Sequence, residues 1–165
     1  MKLDRVVLVN WGQLTPGDYE FGNMSLLTGP TGAGKSTMLD GIQTVMTAAY
    51  PGIVSYNPGQ DEVQQGPKRG KSKRTLESFA VGAEYSRFSR PDGAQCYAAA
   101  VFRPSSPQEP GKVFTALIAA AAHVDGAGER RQAKLERLEL VIVEDAALSY
   151  THFLRDGAAH EGVGV

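Results

Sequence analysis

Residues 29–36 read Gly29-Pro30-Thr31-Gly32-Ala33-Gly34-Lys35-Ser36 and match the pattern G-x-x-x-x-G-K-[ST] at every fixed position. Each fixed residue has a physical reason to be there. Gly29, Gly32 and Gly34 let the backbone wrap closely, so that successive N–H groups from about Thr31 to Thr37 point at phosphate oxygens. A helix opening behind them adds the positive end of its dipole. Lys35 supplies a mobile point charge for the β- and γ-phosphates, and the Ser36 hydroxyl takes one place in the octahedral shell of Mg²⁺. The stretch is therefore assigned to ATP with Mg²⁺: Gly29, Pro30, Thr31, Gly32, Ala33, Gly34, Lys35, Ser36 and Thr37 bind the nucleotide, and Ser36 faces the metal. A glycine-rich turn that only caps a helix needs neither Lys35 nor Ser36.

The flanking residues supply the strand-loop-helix setting that such a loop requires. Upstream, Arg5 to Val9 is a β-branched run ended by Asn10-Trp11-Gly12, and Pro16-Gly17-Asp18 is a turn before a short strand at Tyr19 to Phe21. Gly22-Asn23 then leads into a third short strand, Met24 to Thr28, directly before the loop. Downstream, Met38, Leu39, Ile42, Val45, Met46 and Ala49 recur at spacings of three and four, which predicts an amphipathic helix over 36–50, ended by Pro51-Gly52.

From Gly52 to about Leu76 no period is visible, and Pro and Gly punctuate a long loop. It ends on Lys68-Arg69-Gly70-Lys71-Ser72-Lys73-Arg74, five cations with no acid among them. Such a run reads as a solvated loop, as a contact for a phosphate backbone, or as a contact for a nucleotide or partner, and on the second reading Lys68, Arg69, Lys71, Lys73 and Arg74 touch DNA. Thr75 to Val81 fits a short helix. Gln95 to Arg103, Val113 to Val124 and Leu138 to Glu144 fit strands, although the alanine-rich 116–122 also suits a helix. The last of these, Leu140-Val141-Ile142-Val143-Glu144-Asp145, has the hydrophobic-then-acidic order of a Walker B strand and equally that of a core strand ending in a turn.

Length and composition bound the rest. A chain of 165 residues buries roughly 70% of its unfolded surface in one domain. Its hydrophobic share of 42% excludes disorder throughout, and its net charge of -1 gives no global field toward nucleic acid. The single cysteine, Cys96, permits no internal disulfide and fits a small buried strand residue in a reducing, cytoplasmic setting. No stretch approaches the roughly 20 apolar residues of a membrane helix. His123 has no Cys, Asp or His in metal-ligand spacing.

Taken together, these residues resemble the N-terminal half of an SMC-like ABC ATPase head, of the kind found in SMC, MukB and the JetC (MksB-like) subunit of Wadjet-type systems. Leu8-Val9-Asn10-Trp11 is similar to the family's L-x-N-W opening, and Ser36-Thr37-Met38-Leu39-Asp40-Gly41-Ile42-Gln43 to its STLLDAIQ helix. Lys71-Ser72-Lys73-Arg74-Thr75-Leu76-Glu77-Ser78-Phe79 looks like the KRxLxxY segment of JetC-type proteins, and 141–145 with Leu148 like a strand of their first lobe.

The resemblance implies an α/β fold of the ABC-head type: a mixed, mostly antiparallel sheet with the P-loop helix packed on it, over residues 1–155, followed by a frayed tail at 156–165. It implies that Asn10 and Trp11 lie near the nucleotide, where either could touch the base or ribose, while Trp11 also reads as a plain core aromatic. It also implies a C-terminal lobe carrying Walker B and the signature motif, a second head, kleisin-type subunits and DNA as partners, and no membrane. No LSGG-type signature or heptad run is present in the sequence and no glutamine is assignable to a Q-loop, so on this reading the chain is a fragment that binds ATP and does not turn it over alone. The competing reading is a small self-contained P-loop phosphotransferase of the nucleotide-kinase type, for which Arg87, Arg90, Arg103, Arg130 and Arg131 are the available lid cations.

Overall fold

The computed structural model describes residues 1–57, 74–84, 87–127, 131–155 and 158–159. Its centre is a five-stranded sheet with the order β2-β1-β5-β6-β7. The strands are β1 (Lys2–Val9), β2 (Gly17–Glu20), β5 (Ala94–Arg103), β6 (Phe114–Asp125) and β7 (Gln132–Glu144). Every neighbouring pair is antiparallel, so the sheet is not mixed as the resemblance implies. Helix α1 (Lys35–Met46) lies over β5 and β6, and the short α2 (Leu76–Ala80) over β5, β6 and β7. Small elements complete the fold: the pair β3 (Ala83–Glu84) and β4 (Arg87–Phe88), a 3₁₀ turn at Tyr150–Phe153, and the pair β8 (Leu154–Arg155) and β9 (Ala158–Ala159).

The continuous apolar run of β1 reflects burial on both faces. Val6 and Leu8 join the core under the helices, while Val7 and Val9 pack on the other side with Ala99 and Phe153. β5 and β6 use alanine where the helices come close, at Ala98, Ala100, Ala116 and Ala120, because small side chains let a helix approach a sheet. Gly41 serves the same approach from the helix side. A Cβ there would stand 2.8 Å from Leu8 Cδ2 and 3.2 Å from Trp11 Nε1.

The segment 114–125 is a strand rather than a helix, because β5 and β7 flank it and complete its hydrogen-bond ladder on both sides. β7 begins at Gln132, six residues before the expected Leu138, and its polar first half is held in register by β6 alone. Helix α1 stops at Met46 rather than Tyr50, since Ala48 and Ala49 adopt positive φ.

One predicted strand is missing. Met24 to Thr28 is not a strand: among the described residues no segment pairs with it, and Met24 and Leu26 are 94% and 88% exposed. The chain leaves the sheet at Phe21, whose N–H still donates to the Asp4 carbonyl, and turns away where the Gly22 N–H donates to Ser25 Oγ. β-branched and leucine-rich composition makes a strand only where a neighbour supplies the ladder.

Candidate nucleotide-binding site

The loop at 29–36 has the backbone that its glycines allow. Gly29, Gly32 and Gly34 have φ of 148°, 86° and 86°, a region that side chains rarely enter. At Gly34 an added Cβ would also lie 2.4 Å from Leu14 Cδ2, so the Leu14 side chain would have to shift. Gly34 is the N-cap of α1 and no side chain caps it, so the N–H groups of the first turn remain available to an anion.

Lys35 arches back over this loop. Its Nζ donates to the carbonyls of Gly29 at 2.7 Å and Pro30 at 2.8 Å. An ammonium carries three donors, so two anchors hold the charge over the loop and leave the third for a phosphate oxygen. Ser36 is exposed at the mouth of the loop, and its hydroxyl is open to a hydrated cation. Among the described residues no cluster of three or more His, Cys, Asp or Glu side chains is placed to hold a metal. A magnesium ion bound here would accordingly rest on Ser36, phosphate oxygens and water, a donor set that suits its preference for oxygen and retained waters. The residues present fit Mg–ATP.

A stack of flat groups supports the cradle from below. Trp11 is 1% exposed and lies parallel to Phe79, with ring centroids 4.7 Å apart. Its Nε1 donates to the Thr37 carbonyl at 2.9 Å. On Phe79 sits the Arg74 guanidinium, 5.6 Å from the ring centroid, with Nη1 donating to Thr37 Oγ1 at 3.4 Å. Arg90 fastens the same region by donating to four carbonyls: Ala80 at 2.8 Å, Gly12 at 2.9 Å, Asn10 at 3.0 Å and Phe79 at 3.2 Å. These bonds tie the end of β1 to the C-terminal end of α2, where a cation is favourable.

Sequence reasoning names Arg90 only as a possible lid cation and does not single out Phe79 or Asp40. Phe79 had a legible signal, its spacing of three from Leu76 in a short helix. Asp40 had another, an acid at the same spacings as the buried Thr44 and Val45 of α1.

The remaining candidates are dispersed. Asn10 is buried in the left-handed region with φ of 51°, and its Nδ2 donates to the Gln95 carbonyl at 2.9 Å. Lys68, Arg69, Lys71 and Lys73 lie outside the described residues, whereas Arg74 stands at the P-loop helix. Glu144 ends edge strand β7 opposite Phe114, and the Asp145 carboxylate pairs with Lys112. His123 Nδ1 lies 2.7 Å from Glu136 Oε1 across the β6–β7 ladder. Cys96 is buried in the core, and burial pushes its thiol up to about 12, which makes it inert at neutral pH.

Loop, lysine and helix together define a P-loop nucleotide-binding region. The model of the family described as the P-loop containing region of AAA domain matches residues 3–62, which take in β1, β2, the loop and α1. No curated protein and no solved structure matches the chain. Among the described residues no helix is long and apolar enough to cross a membrane.

Proposed function

We propose that the chain is the Mg–ATP-binding N-terminal half of a split, SMC-like ATPase head whose parent complex acts on DNA. The observation that carries this reading is the Lys35 ammonium, held on two loop carbonyls above an uncapped helix N-terminus. That arrangement serves a polyphosphate and has no purpose in a capping turn. The backbone amides of the loop bind the phosphates, Lys35 offsets their charge, and Ser36 orients the magnesium.

The half-head reading draws support from apolar side chains that face solvent before the loop and along and beyond α1: Met24, Leu26, Leu39, Met46, Tyr50 and Ile53. A C-terminal lobe would cover such a surface and bring the second carboxylate that hydrolysis requires. The isolated chain then binds ATP and turns it over at background rate. A second head, kleisin-type subunits and DNA complete the proposed assembly, with the cations at 68–74 as the DNA-facing run.

Titrating Mg–ATP into the purified chain and into Lys35→Ala tests the nucleotide assignment. Saturable binding that weakens at least about tenfold in the variant, at unchanged thermal stability, is the expected result. A wild-type chain that does not bind ATP rejects it. The DNA assignment is separate: replacing Lys68, Arg69, Lys71, Lys73 and Arg74 by Gln without changing the DNA affinity of the intact complex would remove it.

A further inference from the structure

The two edges of the central sheet differ. Edge strand β2 is four residues long and carries Asp18 and Glu20, the short and charged form that keeps an edge from recruiting other strands. Edge strand β7 is thirteen residues long and, among the described residues, pairs with β6 alone. Its first half is guarded: a bulge leaves Glu136 out of the register with β6, and Lys134, Glu136 and Arg137 are charged. Its second half is open. From Leu138 to Val143 the strand is regular, its one charge is Glu139, and that carboxylate already lies 3.3 Å from Arg137 Nε on the same strand.

Leu138, Leu140 and Ile142 stand opposite Ala120, Ile118 and Ala116, the β6 residues of the core under the helices. They carry the core face of the sheet to its edge, where they remain 41%, 51% and 53% exposed. An edge of free N–H and C=O groups accepts an extended strand, and this stripe selects one with apolar residues at alternate positions.

β7 meets that description itself. In an antiparallel pair related by a two-fold axis normal to the sheet, facing residues share a face, so the axis passes between one residue of β7 and its copy. An axis at Leu140 sets Leu140 against Leu140 and Leu138 against Ile142, so that all three residues of the stripe meet one another. The same axis keeps the ladder within 137–143, clear of the bulge at Glu136 and of Asp145, whose φ of 55° breaks the extended path. Neighbouring registers fit worse. An axis at Glu139 faces two carboxylates, one at Val141 sets Leu138 against Glu144, and one at Leu138 draws the bulged Glu136 into the ladder opposite Leu140.

We infer that β7 is a dimerisation edge: two copies of this chain join antiparallel along β7, centred on Leu140, into one continuous sheet whose apolar faces merge. The P-loop and α1 are not part of this edge, so the inference stands apart from the ATP-binding reading. One strand and three apolar side chains per copy form a small interface, so association on the order of micromolar or weaker is expected.

Sedimentation velocity on the full chain without nucleotide, over a series of protein concentrations, tests it. The expected result is a sedimentation coefficient that rises with concentration along a monomer–dimer equilibrium. Leu140→Lys and Leu140→Glu each set like charges face to face and should each weaken the dimer at least about fivefold, whereas a mixture of the two variants, with opposite charges facing, should regain it. Leu140→Cys should form an intermolecular disulfide under mild oxidant. Leu138→Cys should not, because its copy lies four residues away along the ladder, about 14 Å. The native Cys96 is buried and does not compete.

A chain that stays monomeric at the highest concentration overturns the inference and leaves β7 to a strand of a different protein. A dimer whose affinity Leu140→Lys leaves within twofold of wild type also overturns it, since that dimer uses another face. Equal crosslinking of Leu138→Cys and Leu140→Cys does the same by breaking the register. Should a charged variant not fold, the two cysteine variants carry the decision.

Discussion

The Trp11 indole Nε1 donates to the main-chain carbonyl of Thr37 at 2.9 Å, joining the end of β1 to the first turn of the P-loop helix. Twenty-six residues separate the two partners. The bond fixes α1 at its nucleotide end, and the parallel Phe79 ring prevents the indole from swinging away. Any ligand that rearranges the first turn of α1 must therefore alter the surroundings of this indole.

Trp11 is the only tryptophan in the chain, so its emission reports on the loop without labelling. Adding Mg–ATP should change Trp11 emission saturably, at the same midpoint as calorimetric binding, and Lys35→Ala should abolish the response. Binding seen by calorimetry with no change in emission would show that the first turn of α1 does not move.

Gly41→Ala pits a propensity gain against a clash. Alanine in a helix interior is favoured over glycine by roughly 1 kcal/mol, yet its Cβ would meet Leu8 Cδ2 at 2.8 Å in a fully packed contact. Overpacking costs about 1–3 kcal/mol, so the clash wins. Chemical denaturation should show a net loss of stability; a gain would mean that α1 is free to lift from the sheet.

Arg90→Lys keeps the positive charge and removes the fork that reaches four carbonyls. Carbonyls left without a donor in a part-buried setting cost about 1–3 kcal/mol each where water does not replace the donor. A loss of about 2–4 kcal/mol in urea unfolding is expected, with faster hydrogen exchange at Gly12, whose N–H donates to the Phe79 carbonyl. Stability equal to wild type would assign Arg90 to the surface.

Burial raises the Asp40 carboxyl above its ordinary 3.8, against the opposing pull of Asn57 and Arg74. The sign follows from proton binding: between 3.8 and the raised folded value, the folded chain holds more protons than the unfolded one, so stability falls as pH rises through that window. The cost is fully present above the folded value. Asp40→Asn should remove this slope, and its stability relative to wild type should be highest near neutral pH and decline toward pH 4. Urea unfolding across that range checks it, and a deficit of the variant that grows from pH 4 to pH 7 contradicts it.

Much of the architecture is legible along the chain, because each signal is local. β1 announces itself as a β-branched run, α1 as an apolar repeat, and α2 as a short helix whose Thr75 side chain accepts from the Ser78 N–H. Failures occur where the deciding contact is distant. Met24 to Thr28 has a strand's composition and, among the described residues, no strand beside it, and the polar start of β7 is a strand only because β6 lies next to it. Alanines at 116–122 suit either element until β5 and β7 settle the matter from both sides.

The candidate site divides in the same way. Glycine at 29, 32 and 34, lysine at 35 and serine at 36 determine a phosphate loop from sequence alone, since the requirement is a contiguous backbone path with positive φ followed by a helix start. The column of Trp11, Phe79 and Arg74 behind that loop, and the buried Asp40 bound by Asn57, were decided by the tertiary structure. Their partners are brought together by the packing of α1 and α2 on the sheet, and hydrogen bonds and burial between segments so far apart leave no pattern in the order of residues.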